Sequence, residues 1–288
     1  MIKPNRIYSA AIVIAAGLIA SPAFAEDESF FSNWLANVSS TQEEQPHWMT
    51  PLVTVTPRLE QEYRFDYSHS DVPKPKAGTT IDSYGGGKGI EIIPSRNTEI
   101  IVGVPAYQVK DVPNKPSVTG VADENLLLKY RILTANEEHG NYIVTAFLGT
   151  SLQTGGNAFT TNHTLVTPTI AAGKGWGDRQ SGVDIQSTLG MAVPSGGVST
   201  LGRPLTWNMA LQGHVGKFWP EIETNYIHWY DGALAGKSQM MITYGTTIGR
   251  FVIKDRVKAI VGIGYQIVQG TQVVNLNHAT LATMRITF

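Results

Sequence analysis

This chain of 288 residues contains no cysteine. That excludes a disulfide framework, a thiolate metal site and a lipid anchor on an acylated cysteine. Beyond residue 25 no apolar run approaches the ~20 residues that a membrane-spanning helix needs. The seven histidines never fall into an H-x-x-x-H pair, so no metal is expected. Charge is scarce, at 16% of residues, and the formal net charge is −1. A chain without surplus cations is not expected to bind nucleic acid. The stretch YGGGKG (84–89) has the residues of a phosphate loop. It lacks the G-x-x-x-x-G-K-[ST] spacing and a following helix, and reads as a flexible outer loop. No cofactor is implied.

What is present starts at the N-terminus. Lys3 and Arg6 precede an apolar run over 8–20, followed by Ser21-Pro22 and the small-residue site Ala23-Phe24-Ala25. This pattern predicts a cleavable secretory signal peptide over 1–25, cut before Glu26. Losing Lys3 and Arg6 takes the formal charge from −1 to −3. Residues 26–50 form a separate segment. Phe30, Phe31, Trp34, Leu35 and Val38 recur there at helical spacing. Two readings stay open: a short amphipathic helix packed on the body of the protein, or a periplasmic or lumenal plug.

From Pro51 onward the period changes to two. In PLVTVTPRLEQEYRFDY, Val53, Val55, Leu59, Tyr63, Phe65 and Tyr67 share one face, and the polar residues share the other. Further strands are predicted near 88–94, 97–107, 123–133, 141–152, 164–174, 181–193, 205–216, 219–230, 238–251, 256–268 and 278–288. Pro168 fits only awkwardly in the middle of one of them. Long and short connections alternate. An exported chain without membrane helices can enter a bilayer only as a closed barrel. An even strand number with short turns on one side is the pattern of outer-membrane barrels. The expected fold is therefore all-β, a transmembrane antiparallel up-and-down barrel of about twelve strands over 51–288. Trp48, Tyr142, Trp176, Phe218, Trp219 and Phe288 are expected as one aromatic belt. Tyr63, Phe65, Tyr67, Tyr107, Trp229 and Tyr230 are expected as the other.

The proposed outward rows carry no charge, as in Leu126, Leu128, Tyr130 and Ile132, or Val257, Ala259, Val261, Ile263, Tyr265 and Ile267. The inward rows hold the ionisable residues. The lumen-lining candidates are Arg58, Glu60, Glu62, Arg64, Asp66, Glu99, Lys129, Arg131, Asp184, Glu221, Glu223, Lys258 and Arg285. They fit a polar pore that orients a solute, and equally a salt-bridged network that fills the lumen. A twelve-strand barrel leaves roughly 10 Å between opposed side chains, enough for small solutes. No His-x-Ser motif occurs, so a lipid hydrolase of the outer-membrane phospholipase type is a secondary reading; a closed structural barrel with binding loops is another.

The segments QPHWMTPLVTVTPRLEQEYRFDY (45–67), YGGGKGIEIIP (84–94), IIVGVPAY (100–107) and ENLLLKYRIL (124–133) resemble the meta-pathway phenol-degradation family of bacterial outer-membrane proteins. The resemblance implies an outer-membrane channel or transporter of a Gram-negative bacterium. It implies uptake of small molecules, aromatic or hydrophobic ones among them, and gives no catalytic residue. The final stretch LATMRITF alternates strictly. Met284, Ile286 and Phe288 are expected to face the outer-membrane lipid and to resemble the signal read by the barrel-assembly machinery. Arg285 should turn inward toward Glu60 or Glu62.

Overall fold

The computed structural model describes residues 28–72, 78–270, 273 and 276–288, so the expected signal peptide lies outside the described residues. A helix, α1, runs Glu28–Glu43 and stops short of Pro46, whose ring disfavours helical geometry in the residue before it. Residues up to Asn37 form a unit of their own. Within it, Phe31 packs edge-on against Phe30 at 5.6 Å and Trp34 at 6.5 Å between ring centroids.

The second unit runs Val38–Phe288 and is built on twelve wall strands. They are β1 (Glu62–Asp71), β2 (Thr80–Ser95), β3 (Thr98–Asp111), β4 (Glu124–Ala135), β5 (Tyr142–Leu152), β6 (Leu165–Gly177), β7 (Ser181–Met191), β8 (Pro204–Val215), β9 (Phe218–Trp229), β10 (Ser238–Lys254), β11 (Val257–Gln269) and β12 (His278–Thr287). Every neighbouring pair is antiparallel. The sheet closes where β12 meets β1, in register from Glu62 opposite Thr287 to Asp71 opposite His278. Two short strands, Val118–Val121 and Val193–Pro194, extend the wall beside β3 and β6. Short turns at 96–97, 136–141, 178–180, 216–217 and 255–256 lie at one end. Left-handed backbone at Gly216 (φ 60) and Asp255 (φ 49) makes two of them possible. The longer connections lie at the other end.

The wall turns apolar side chains outward. Leu128, Tyr130, Ile132, Ile222, Val261 and Met284 are half exposed, and Ile263 is 65% exposed. Apolar surface on this scale, all around a closed sheet with no free edge, requires a hydrocarbon surrounding. The barrel spans a membrane.

Three sequence expectations change. Residues 51–61 are not strand; β1 begins only at Glu62. Pro51 and Pro57 carry no amide hydrogen, and the stretch finds its partners among inward side chains instead of a neighbouring strand. YGGGKG is not a loop but the middle of β2. The register with β3 slips on both sides of Gly86, and Gly85 takes φ +91. A bulge of this kind bends the strand and re-aims the side chain that follows. Here that is Lys88, whose Nζ donates to the carbonyl of Thr54 at 3.3 Å. Trp48, Trp219 and Trp229 do not belong to the outer belts, since all three are buried inside. Tyr142, Trp176 and Phe218 are exposed near short turns, and Tyr107 and Tyr230 are exposed near long ones. Pro168 does sit within β6. The ladder to β7 starts only at Thr169, while Val193–Pro194 pair with Val166 and Leu165. The proline falls in the gap between the two ladders, where no amide is needed.

Candidate functional site

Between α1 and β1 the chain crosses the inside of the barrel as an extended strap, residues 44–61. Gln45, Trp48, Met49, Thr50, Leu52, Thr54, Thr56, Arg58, Leu59, Glu60 and Gln61 are all buried. A segment without regular structure can be buried only if its backbone groups find partners, and the wall provides them. Glu223 of β9 accepts the amides of Val53 and Thr54, at 2.8 and 2.5 Å. Glu99 of β3 accepts the amide of Glu60 at 2.6 Å. Lys129 of β4 donates to the carbonyl of Arg58 at 3.1 Å. Arg285 of β12 donates to the carbonyls of Thr50 and Pro51, and Arg64 of β1 to those of Pro51 and Leu52. Thr145 of β5 and Gln186 of β7 bond the carbonyls of Pro57 and Met49.

Two apolar sockets complete the fit. The Trp48 ring lies on Gly173 of β6, where a Cβ would come within 2.5 Å of it. Leu52 lies on Gly262 and Gly264 of β11, where a Cβ would come within 2.8 Å of it. Only strands that lack inward side chains at these positions can admit the strap.

The candidate lumen residues divide accordingly. Glu62, Arg64, Asp66, Glu99, Lys129, Arg131, Asp184, Glu221, Glu223, Lys258 and Arg285 stand on wall strands. Arg58 and Glu60 stand on the strap, where Arg58 Nη1 meets Glu60 Oε1 at 2.8 Å. Lys129 Nζ and Glu99 Oε1 pair at 2.8 Å. Arg64 Nε and Asp66 Oδ1 pair at the same distance. Arg131 bonds Glu44 and the carbonyl of Thr41, at the foot of the strap. Gln186, Gln212 and Glu221 form a hydrogen-bonded chain across β7, β8 and β9. Arg285 does not pair with Glu60 or Glu62 as expected, because the strap carbonyls lie nearer its guanidinium.

Sequence reasoning missed Lys88, Glu91, Gln186 and Arg250. Lys88 falls in the stretch read as a loop, and Glu91, within the expected strand near 88–94, was not counted among the inward charges. Arg250 escapes alternation because it sits at a slip in register with φ 62. It turns in to bond the carbonyl of Trp48 at 2.9 Å.

At the foot of the strap, Glu137 in the β4–β5 turn accepts the backbone amide of His47 at 2.6 Å and bonds its ring at 2.8 Å. Burial opposes the charge of this carboxyl, but the two contacts with His47 outweigh it and hold the pKa at about 2. On the long-loop side Asp123 accepts amides from Gly155 and Thr161, both at 2.9 Å, and ties two loops together. Burial again works against the charge, and the backbone donors pull its pKa below the ordinary carboxylate range.

Space remains on both sides of the strap. Toward the long loops lies a cavity of about 610 Å³. The strap tip (Leu52, Val53, Val55) and Leu127 give it an apolar floor, and Arg64, Asp66 and Lys88 a charged flank. Toward the short turns lies a second cavity of about 400 Å³, lined by Arg58, Arg250, Lys258 and neighbouring polar residues. Elsewhere, at the β9–β10 rim, Ser238 Oγ lies 2.8 Å from His228 Nδ1. Among the described residues no carboxylate pairs with that ring.

No family model matches the chain, and no curated protein does. Solved structures do. The chain is similar to the COG4313 outer membrane channel from Pseudomonas putida F1, with TM-score 0.50 and 13% identity, over 78% of this chain and 93% of that one. It is also similar to the KdgM porin in complex with disordered oligogalacturonate, with TM-score 0.45 and 10% identity, over 78% and 99% of the two chains. At 13% identity the likeness to the first of these is one of fold, a closed membrane barrel.

Proposed function

We propose that the protein is an outer-membrane channel of a Gram-negative bacterium, exported by a signal peptide over 1–25, that passes small organic molecules along its strapped lumen. The observation that carries this reading is the pair of cavities, one on each side of residues 44–61. The wide one has an apolar floor and a charged flank, which suits a compact molecule with an apolar body and one polar group. The resemblance to the phenol-degradation family favours aromatic solutes. Met284, Ile286 and Phe288, on the strand that closes the barrel, are proposed to be read by the assembly machinery.

The test is flux into liposomes carrying the purified protein, across aromatic, sugar and ionic solutes. Faster entry of small aromatic solutes than of sugars is expected. Protein-free rates for every solute would overturn the channel reading. The Ser238–His228 contact favours a second reading, a lipid hydrolase. Hydrolysis of phospholipid micelles that is lost on Ser238→Ala would establish it.

A further inference from the structure

Cations outnumber carboxylates around the cavity on the short-turn side. Arg58, Arg179, Arg250, Arg256 and Lys258 border it, against the carboxylates of Glu43 and Glu60. Arg58 is paired with Glu60 at 2.8 Å and Arg179 with Glu43, and Arg256 is engaged elsewhere. Arg250 bonds the Trp48 carbonyl and lies over the Trp219 ring, 5.8 Å from its centroid. Among the described residues, neither Arg250 nor Lys258 has a carboxylate within ion-pair distance. A second observation concerns Arg58. It is 4% exposed, yet its Nε has no hydrogen-bond partner among the described residues. A buried guanidinium N–H without an acceptor is costly, and this one belongs to a residue that borders the cavity.

We propose that this cavity binds the carboxylate of a small organic acid, held by Arg250 and Lys258 with Arg58 at its edge. A guanidinium presents N–H donors in a fixed plane that matches a carboxylate, and Lys258 adds a charge from β11, the strand next to the one that carries Arg250. About 400 Å³ accommodates a single-ring acid but no polymer. The inference deepens the channel reading and rests on it for biological sense. It places a binding step for the whole acid at the short-turn mouth, across the strap from the apolar cavity.

The test uses the full mature chain in detergent and does not depend on transport. Trp219 lies beneath Arg250, so tryptophan fluorescence is titrated with sodium benzoate, benzyl alcohol and inorganic phosphate. Lys258→Gln and Arg250→Gln are titrated alongside, with heat-modifiable gel migration as the check on folding. Saturable benzoate binding is expected, at least tenfold tighter than that of benzyl alcohol and tenfold weaker in Lys258→Gln. Equal response to benzoate and benzyl alcohol would overturn recognition of the charge. Saturation by phosphate but not benzoate would overturn the carboxylate class, and no saturation by either would overturn the site. Benzoate binding without flux would sink the channel and leave the site; flux without benzoate binding would do the reverse.

Discussion

Lys129 and Glu99 face each other directly across β3 and β4, with Nζ and Oε1 2.8 Å apart and both side chains fully buried. Each also holds the strap, Lys129 through the carbonyl of Arg58 and Glu99 through the amide of Glu60. The pair is therefore both a wall contact and an anchor.

Removing one member should be worse than removing both. Lys129→Met leaves a buried carboxylate uncompensated, a loss of about 3–5 kcal/mol for pairs of this kind. Glu99→Gln with Lys129→Met leaves no net charge behind. Unfolding in urea, followed by heat-modifiable migration, should place the double variant above Lys129→Met. A double variant no more stable than the single would show that the charges do not act as a pair.

The wall was legible and the strap was not, for one physical reason. A strand between lipid and lumen must alternate, and all twelve expected strands match a wall strand in order, the first only over 62–67. The strap alternates too. In PLVTVTPRLE, Leu52, Thr54 and Thr56 are buried, while Val53 and Val55 between them are half-buried. Pattern alone cannot tell such a segment from a strand. Pro51 and Pro57 were one available signal. The inward glycines at Gly173, Gly175, Gly262 and Gly264 were another, since an empty wall position implies something else filling it. Of the wall charges, Arg64, Glu99, Lys129, Glu223 and Arg285 bind strap amides and carbonyls, partners that no charge count can anticipate.

The glycine socket gives a rescue experiment. Gly264→Val should collide with Leu52 and cost about 1–3 kcal/mol through overpacking. Leu52→Ala alone should cost about 2–5 kcal/mol through the cavity it leaves. Combined, the two changes refill the same space, so the double variant should be more stable than the sum of the singles predicts. Strict additivity in a thermal unfolding cycle would argue that Leu52 does not rest on this wall.

Glu137 sets an acid limit on the foot of the strap. Its carboxyl is held at about 2 in the folded protein, below the ordinary 4.5. A depressed carboxylate adds stability that is complete above its unfolded pKa and disappears as pH falls through the folded one. The contribution should therefore be full above pH 4.5 and lost between there and about pH 2. In Glu137→Gln this component is absent. Protease cleavage near His47 should become faster in the wild type on acidification across that window, and change less in the variant. Parallel pH dependence in the two proteins would remove Glu137 as the latch.

Glu223 offers the most direct link from strap to passage. Its two carboxylate oxygens hold consecutive amides, Val53 and Thr54, at the strap tip that floors the larger cavity. No neutral side chain of the same length can accept both with equal strength, because an amide has a single acceptor oxygen. Glu223→Gln should loosen the tip while leaving the wall ladder of β9 intact, since the ladder is backbone to backbone. In planar bilayers the variant is expected to show larger or more frequent conductance steps than the wild type, with unchanged heat-modifiable migration. If conductance stays the same while Thr54 becomes accessible, as read by labelling of a Thr54→Cys variant, solutes pass by a route that the strap tip does not control.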